Sequence, residues 1–210
     1  MSITNYLLEQ TRRLPLIAIL RDLQISDAAE IGAALYASGF RTLEVPLNRP
    51  DALACIEILV RTLPGDCLVG GGTMLTVLDV DAVHAVGGRL MVAPNCDARV
   101  IARGVEHGML CAPGVMTPTE AITALQAGAH ALKIFPADAL DYGGFNALKS
   151  VLPDGTDMWP VGGIGLENIA AWKRAGATGF GIGSQLYTAG TSANAIAATA
   201  LRFVQAWVNT

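Results

Sequence analysis

The chain has 210 residues, of which 52% are apolar and 15% are charged, and its formal net charge is −4. We treat residues 1–210 as a single domain, because α/β barrels often reach this length undivided. The charged share is well below the roughly 25% of an average soluble domain, so the chain can bury a large core and keep apolar surface for subunit contacts. The mild charge and the lack of Lys and Arg clusters argue against nucleic acid or an anionic membrane as a partner.

Several other classes of protein are excluded by what the sequence lacks. No run of about 18 apolar residues is long enough to span a membrane, and residues 1–6 do not begin the basic and then apolar pattern of a signal peptide. There is no Walker-type loop and no dinucleotide-binding fingerprint. The cysteines occur singly, without the spacing of a zinc site or a redox motif, at Cys55, Cys67, Cys96 and Cys111. We therefore predict buried thiols in a reducing cytoplasm.

The main organising pattern is a junction in which an alanine-rich, helix-like segment ends at glycine and a short apolar run follows. Glycine just past a helix supplies the left-handed backbone conformation that closes the last turn. The junctions recur about every 20 to 27 residues, the length that one strand, one helix and two loops require. They lie at residues 37–40, 63–66, 86–89, 106–109, 126–129, 153–156 and 174–177.

Seven junctions and an opening strand predict eight strands, all short and apolar on both faces, as parallel strands covered by helices should be. Eight strands alternating with helices predict a closed (β/α)8 TIM barrel of the α/β class, with an open doubly wound sheet as the alternative. An extra N-terminal helix is predicted over residues 4–12 and a last helix over 192–208. The predicted strands are 16–20, 42–45, 67–70, 90–92, 110–112, 131–134, 158–161 and 179–182.

The carboxyl ends of barrel strands carry the active site, and Lys133 lies at this edge within the apolar stretch 129–136. Lysine is rarely buried without a partner or a function, and desolvation lowers its pKa and makes the amine a nucleophile. Glu44 is the other strongly ionisable residue predicted inside the ring. An ion pair between the two is the structural alternative, but buried ion pairs contribute little stability. We predict that Lys133 forms a Schiff base with a ketone.

The ends of the last two predicted strands carry glycine-rich loops, Gly162-Gly163 and Gly181-Ile182-Gly183, followed by Ser184. Glycine lets backbone N–H groups approach a phosphate, and the following helix start adds its positive dipole end. Tight turns alone are the structural alternative. We predict a phosphate site here, with Ser184 adding a hydroxyl.

Five segments carry a family resemblance that covers almost the whole chain: LPLIAILR (14–21), LEVPLN (43–48), GGGT (70–73), LKIFP (132–136) and VGGI (161–164). Together they resemble the class I 2-keto-3-deoxy-6-phosphogluconate aldolase family. The resemblance implies a trimeric (β/α)8 barrel, a Schiff-base lysine, a proton-shuttling glutamate and no metal or organic cofactor.

Carried onto this chain, the resemblance implies that Lys133 forms the Schiff base, that Glu44 transfers protons and that Thr73 helps to hold the pyruvate end. The implied phosphate site comprises Gly162, Gly163, Gly183 and Ser184. The predicted substrate-binding set is completed by strand-end residues, which are Arg21, Pro94, Phe135 and Val161.

One position departs from the phosphogluconate branch, which has an arginine four residues after the catalytic glutamate. Here Asn48 holds that place and Arg49 follows, so we predict that Arg21 binds the substrate carboxylate. Asn48, together with Val161 where the gluconate branch usually has threonine, resembles the 6-phosphogalactonate branch. The implied substrate is therefore a phosphorylated keto-deoxy sugar acid with the galactonate configuration at C4, and its gluconate epimer is the alternative.

Two other functions remain open on the sequence. One is a sugar-phosphate isomerase or epimerase that uses Glu44 as a base, with Lys133 acting only as a charge. The other is a non-enzymatic sugar-phosphate-binding barrel in which the two residues form a structural pair.

Overall fold

The computed structural model describes the backbone of residues 3–209 and the side chains of Thr4 and residues 6–209. The helices are α1 Ile3–Arg13, α2 Ala28–Ala37, α3 Ala52–Thr62, α4 Val77–Ala85, α5 Ala98–Glu106, α6 Pro118–Gln126, α7 Tyr142–Lys149, α8 Ile169–Arg174 and α9 Ala193–Val208. The strands are β1 Leu16–Ile19, β2 Thr42–Pro46, β3 Leu68–Gly72, β4 Leu90–Val92, β5 Leu110–Ala112, β6 Gly114–Val115, β7 Leu132–Ile134, β8 Met158–Pro160 and β9 Phe180–Ile182. A short 3-10 helix covers Ala137–Ala139.

Local sequence signals fix several helix ends. Thr117 accepts a hydrogen bond from the backbone N–H of Glu120, whose carboxylate accepts one in return from the N–H of Thr117, so a capping box begins α6. At the other end of a helix, Gly39 follows α2 with φ of +107°, a conformation that glycine adopts without the steric cost of a Cβ. These contacts fix where α6 begins and where α2 ends.

The prediction of a closed eight-stranded barrel is wrong. The described residues form two parallel sheets, one of six strands in the order β5-β4-β3-β2-β1-β9 and one of three strands in the order β6-β7-β8. The chain passes from the first sheet to the second at Pro113, which has no N–H to continue a ladder. On the other side, the sheets meet through an isolated bridge between Val161 and Gly181. Residues 3–209 thus form an open, curled arrangement of nine strands.

The core has two parts. Most buried apolar side chains lie between the helices and the outer faces of the sheets. A smaller cluster fills the concave side, and it comprises Ile17, Leu68, Leu90, Val92, Leu110, Ala112, Ala131 and Trp159, with Leu7 and Leu8 of α1 packed against it. Arg12 of α1 also forms an ion pair of 2.8 Å with Asp157, the residue before β8. The N-terminal helix therefore covers the inner cluster and is tied to the smaller sheet.

Among residues 3–209, no helix combines the length and the apolar character that crossing a bilayer requires.

Candidate functional site

The predicted site residues divide between a cleft and a small pocket beneath it. The cleft has a volume of about 350 Å³ and is lined by Arg21, Phe135, Val161, Gly162, Gly163, Gly183 and Ser184, among others. The small pocket has a volume of about 10 Å³ and is lined by Lys133 and Glu44 together with apolar side chains. Val161 lines both, so the ionisable residues lie directly below the floor of the cleft.

Lys133 is buried in the middle of β7, between β6 and β8, with 7% of its surface exposed. Its Nζ lies 4.8 Å from the centre of the Phe135 ring, and within the described chain it has no hydrogen-bond or ion-pair partner. Burial lowers the pKa of the Lys133 amine below its usual value, although the charge of Glu44 opposes the shift. The amine is therefore more often neutral, which is the nucleophilic form.

Glu44 lies on β2 with 2% of its surface exposed, and its Oε2 atom is buried without a hydrogen-bond partner among residues 3–209. Burial raises the pKa of its carboxyl, although Lys133 and Arg21 act in the opposite direction. The described residues contain no ion pair between Glu44 and Lys133. The two groups therefore sense each other's charge without touching, an arrangement that leaves both available to a third group.

Gly72, the last residue of β3, leaves space for the Glu44 carboxylate. A Cβ at Gly72 would overlap the Glu44 carboxylate, so the carboxylate occupies the space that a side chain on β3 would fill. Thr73 follows directly and has φ of +54°, an unusual conformation for a β-branched residue. The backbone of the β3 end is thus shaped around the carboxylate.

We expect Gly72→Ala to displace the Glu44 carboxylate and to lower kcat roughly 100-fold, the scale of losing a positioned acid–base group, with a smaller effect on substrate binding. Gly65→Ala is the matched control, since a Cβ there meets nothing within 4 Å. Steady-state kinetics and thermal unfolding of both variants check this. Equal kcat in the two variants would contradict the role of Gly72.

The cleft above the pocket has the features of an anion site. Gly162 and Gly163 have φ of +103° and +65°, and the backbone N–H groups of Gly163, Ser184 and Gln185 have no partner within the described chain. The Asn168 side chain fixes the first loop, since its Nδ2 donates to the Gly163 carbonyl over 2.7 Å. Three unpaired donors on two neighbouring loops can bind a phosphate without a change in fold.

Arg21, at the end of β1, is exposed and lines the same cleft. Its guanidinium has no hydrogen-bond or ion-pair partner among residues 3–209. The positive charge of Arg21 lowers the pKa of both Lys133 and Glu44. It therefore favours the neutral form of Lys133 and the ionised form of Glu44. Arg21 is therefore a cation close enough to both groups to meet an anionic substrate there.

The structure does not bring the whole predicted set together. Thr73 and Pro94 line neither the cleft nor the pocket, although Thr73 directly follows Gly72, which borders the Glu44 carboxylate. Pro94 is half-buried, and its carbonyl lies where a Cβ on Gly114 would be. Both remain predicted substrate-binding residues.

Three residues near the site escaped the sequence analysis. Asp22 lines the cleft with φ of +62° and forms an ion pair of 3.8 Å with Arg49, and its place just after Arg21 at a strand end was a usable signal. Tyr187 also lines the cleft, and its buried hydroxyl has no partner in the described chain. Trp159, on β8, lines the Lys133 pocket.

Fold and site place this chain among the parallel α/β enzymes that work at the carboxyl ends of their strands. Comparison with known proteins is more specific, because residues 7–200 match the family described as KDPG and KHG aldolase. The chain belongs to this family and is a carbon–carbon lyase of the aldolase type, which confirms the resemblance seen in the sequence.

Individual relatives agree. A 2-dehydro-3-deoxy-6-phosphogalactonate aldolase of Escherichia coli (strain K12) is 45% identical, with 93% of this chain and 95% of the relative covered. A probable 2-dehydro-3-deoxy-6-phosphogalactonate aldolase of Rhizobium meliloti (strain 1021) is 44% identical, with 92% and 91% covered. A solved structure described as native KDPGal superposes with a TM-score of 0.91 at 44% identity, covering 94% of this chain and 96% of that one. The aldolase is thus favoured over the isomerase and the binding barrel.

Proposed function

We propose that this chain cleaves 2-dehydro-3-deoxy-6-phosphogalactonate into pyruvate and glyceraldehyde 3-phosphate through a Schiff base on Lys133. The observation that carries the proposal is the buried, unpartnered Lys133 amine beside the unpartnered Glu44 carboxylate. The names of the relatives support the galactonate substrate.

The reaction begins when the neutral Lys133 amine adds to the C2 carbonyl of the substrate and water leaves, which gives a protonated imine. Glu44, as carboxylate, takes the proton of the C4 hydroxyl, and the C3–C4 bond breaks. The bond's electron pair moves into the imine to give an enamine, and glyceraldehyde 3-phosphate departs. Glu44 then returns its proton to C3, and water hydrolyses the imine to release pyruvate and the free amine.

The remaining residues of the site bind and orient the substrate. The N–H groups of Gly162, Gly163 and Ser184 and the Ser184 hydroxyl hold the phosphate, while Arg21 meets the carboxylate. Thr73 assists at the pyruvate end, and Pro94, Phe135, Val161 and Gly183 line the space between. Binding the phosphate far from the reacting bond aligns C2 with the amine.

A coupled assay of pyruvate release, run on the galactonate and gluconate epimers, tests the proposal. We expect both to react and the galactonate epimer to give the higher kcat/KM. A higher value for the gluconate epimer would overturn the substrate assignment alone. No pyruvate from either epimer would overturn the function.

Two variants test the phosphate loops. A Cβ at Gly183 meets nothing within 4 Å, so Gly183→Ala is expected to fold normally while its methyl group narrows the cleft. Ser184→Ala removes one hydrogen bond to a charged group. We expect each to raise KM about 10- to 100-fold for the phosphorylated substrate and to leave pyruvate trapping on Lys133 unchanged. KM values equal to those of the unsubstituted enzyme would remove these loops from the phosphate site.

A homotrimer in the cytoplasm completes the proposal. The four cysteines are free, which suits a reducing compartment. Three apolar side chains are exposed together at the start of α4, namely Leu75 at 48%, Val77 at 40% and Leu78 at 73%, and such patches are typical of contact surfaces. Light scattering should give three times the 21.9 kDa chain mass; the mass of a monomer would overturn the trimer.

A further inference from the structure

Trp159 lies beside the reactive lysine. Its strand β8 pairs with β7 in parallel, and Trp159 is the register partner of Lys133, so both side chains point to the same side of the small sheet. The indole has 2% of its surface exposed and belongs to the inner apolar cluster. Trp159, Lys133 and Glu44 line the same small pocket.

Two glycines, Gly179 and Gly181, leave space for this indole and its neighbour Val161. A Cβ on Gly179 would lie 2.8 Å from Trp159 Cδ1, and a Cβ on Gly181 would lie 2.6 Å from Val161 Cγ2. Both distances are too short for real contacts. Gly179, just before β9, and Gly181, within β9, thus allow Trp159 and Val161 to fill the space under the cleft.

The packing leaves little space for water beneath the amine. The pocket volume of about 10 Å³ is at most that of one water molecule. The other walls are apolar, formed by Ile17, Ile19, Val92 and Ala112. The indole N–H is itself buried without a partner among residues 3–209, and an unsatisfied buried donor is destabilising. A purely apolar side chain would fill a core without that cost, so stability alone does not explain the indole.

The charged groups that act on the lysine are few. From β2 it faces Glu44, which favours the protonated amine, and from the end of β1 it faces Arg21, which disfavours it. The neighbouring strands β6 and β8 contribute Gly114, Val115, Met158, Trp159 and Pro160, none of which is charged. Burial is the largest cause of the lowered Lys133 pKa, and Trp159 is the largest side chain that supplies it.

We propose that Trp159 is a positioning residue for Lys133: its indole closes the inner end of the lysine pocket and excludes water from the space beneath the amine. This inference rests on the proposed Schiff-base function and adds a residue to it. Trp159 touches no reacting atom and acts only through Lys133.

The test follows imine formation as a function of pH, using pyruvate with borohydride and mass spectrometry of the Lys133 adduct. Trp159→Ala is expected to move the midpoint of the pH profile upward by about one unit, which is about a tenfold slower trapping rate near pH 7. Raising the pH should restore the rate. Trp159→Phe, which keeps most of the apolar surface, should shift the profile less, and Trp159→Leu serves if the alanine variant does not fold.

Trp172 provides the matched control. It is 5% exposed and lies on α8, outside the sheets, where it packs edge-on against Phe145. Trp172→Leu is expected to lower the unfolding temperature without moving the trapping profile. A folded Trp159→Leu variant with an unshifted profile would overturn the role of Trp159. An unsubstituted enzyme that traps no pyruvate at any pH would instead overturn the Schiff base itself.

Discussion

Lys133→Met is expected to abolish cleavage, lowering kcat/KM by at least about 10,000-fold, because no other group in the pocket can form the imine. Methionine has a similar length and no charge, so the apolar walls of the pocket can accept it. The variant should also lose the borohydride-trapped pyruvate adduct. Pyruvate release and mass spectrometry measure both effects.

The same variant should not lose stability. A buried amine without a hydrogen-bond or ion-pair partner is costly to desolvate, and an apolar side chain removes that cost. We therefore expect the free energy of unfolding to be kept or raised, although Glu44 loses a neighbouring positive charge. Urea denaturation checks this expectation and shows that the inactive variant is folded. Turnover by folded Lys133→Met at the normal rate would refute the Schiff-base scheme.

Glu44→Gln is expected to lower kcat roughly 100- to 10,000-fold, because the amide cannot accept the C4 hydroxyl proton. Imine formation requires only Lys133, so the variant should still trap pyruvate with borohydride. It should, however, no longer exchange the methyl protons of pyruvate with deuterium, a step that needs proton return at C3. Exchange at the normal rate would assign the proton transfer to another group.

Glu44→Gln is also expected to change how the free energy of unfolding depends on pH. Burial raises the pKa of Glu44 in the folded state above its ordinary value of 4.5, so the folded protein binds this proton more tightly than the unfolded chain does. Its contribution to stability is therefore fully present below pH 4.5 and is lost as the pH rises through the folded-state pKa. Glu44→Gln should be more stable than the unsubstituted protein at about pH 8 and should lose this advantage in acid. Urea denaturation at both pH values measures the difference.

Local signals and long-range contacts were not equally readable from the sequence. The capping box at Thr117 depends on residues three apart, and the burial of Lys133 follows from its apolar neighbours. Neither requires knowledge of distant parts of the chain. The glycine junctions likewise reported the alternation of helices and strands, and the family segments pointed to the aldolases.

The features that escaped prediction depend on residues far apart in the chain. The space that Gly72 leaves for the Glu44 carboxylate involves two different strands. The position of Trp159 beside Lys133 depends on the register of β8 against β7. The division into two sheets follows from Pro113 and from the single bridge at Val161. Counting glycine junctions gave no information on whether neighbouring strands were joined by a continuous ladder.

The division of the sheets determines how the two ionisable groups of the proposed site are held relative to each other. Lys133 belongs to the three-stranded sheet and Glu44 to the six-stranded one, so no continuous hydrogen-bond ladder links the proposed nucleophile and the proposed base. The two sheets are linked instead by backbone hydrogen bonds from His130 and Ala131 to the Cys111 carbonyl and by the isolated bridge between Val161 and Gly181. In the proposed mechanism, a substrate bound to Lys133 and facing Glu44 spans both sheets, and these few backbone links hold the two groups at their distance.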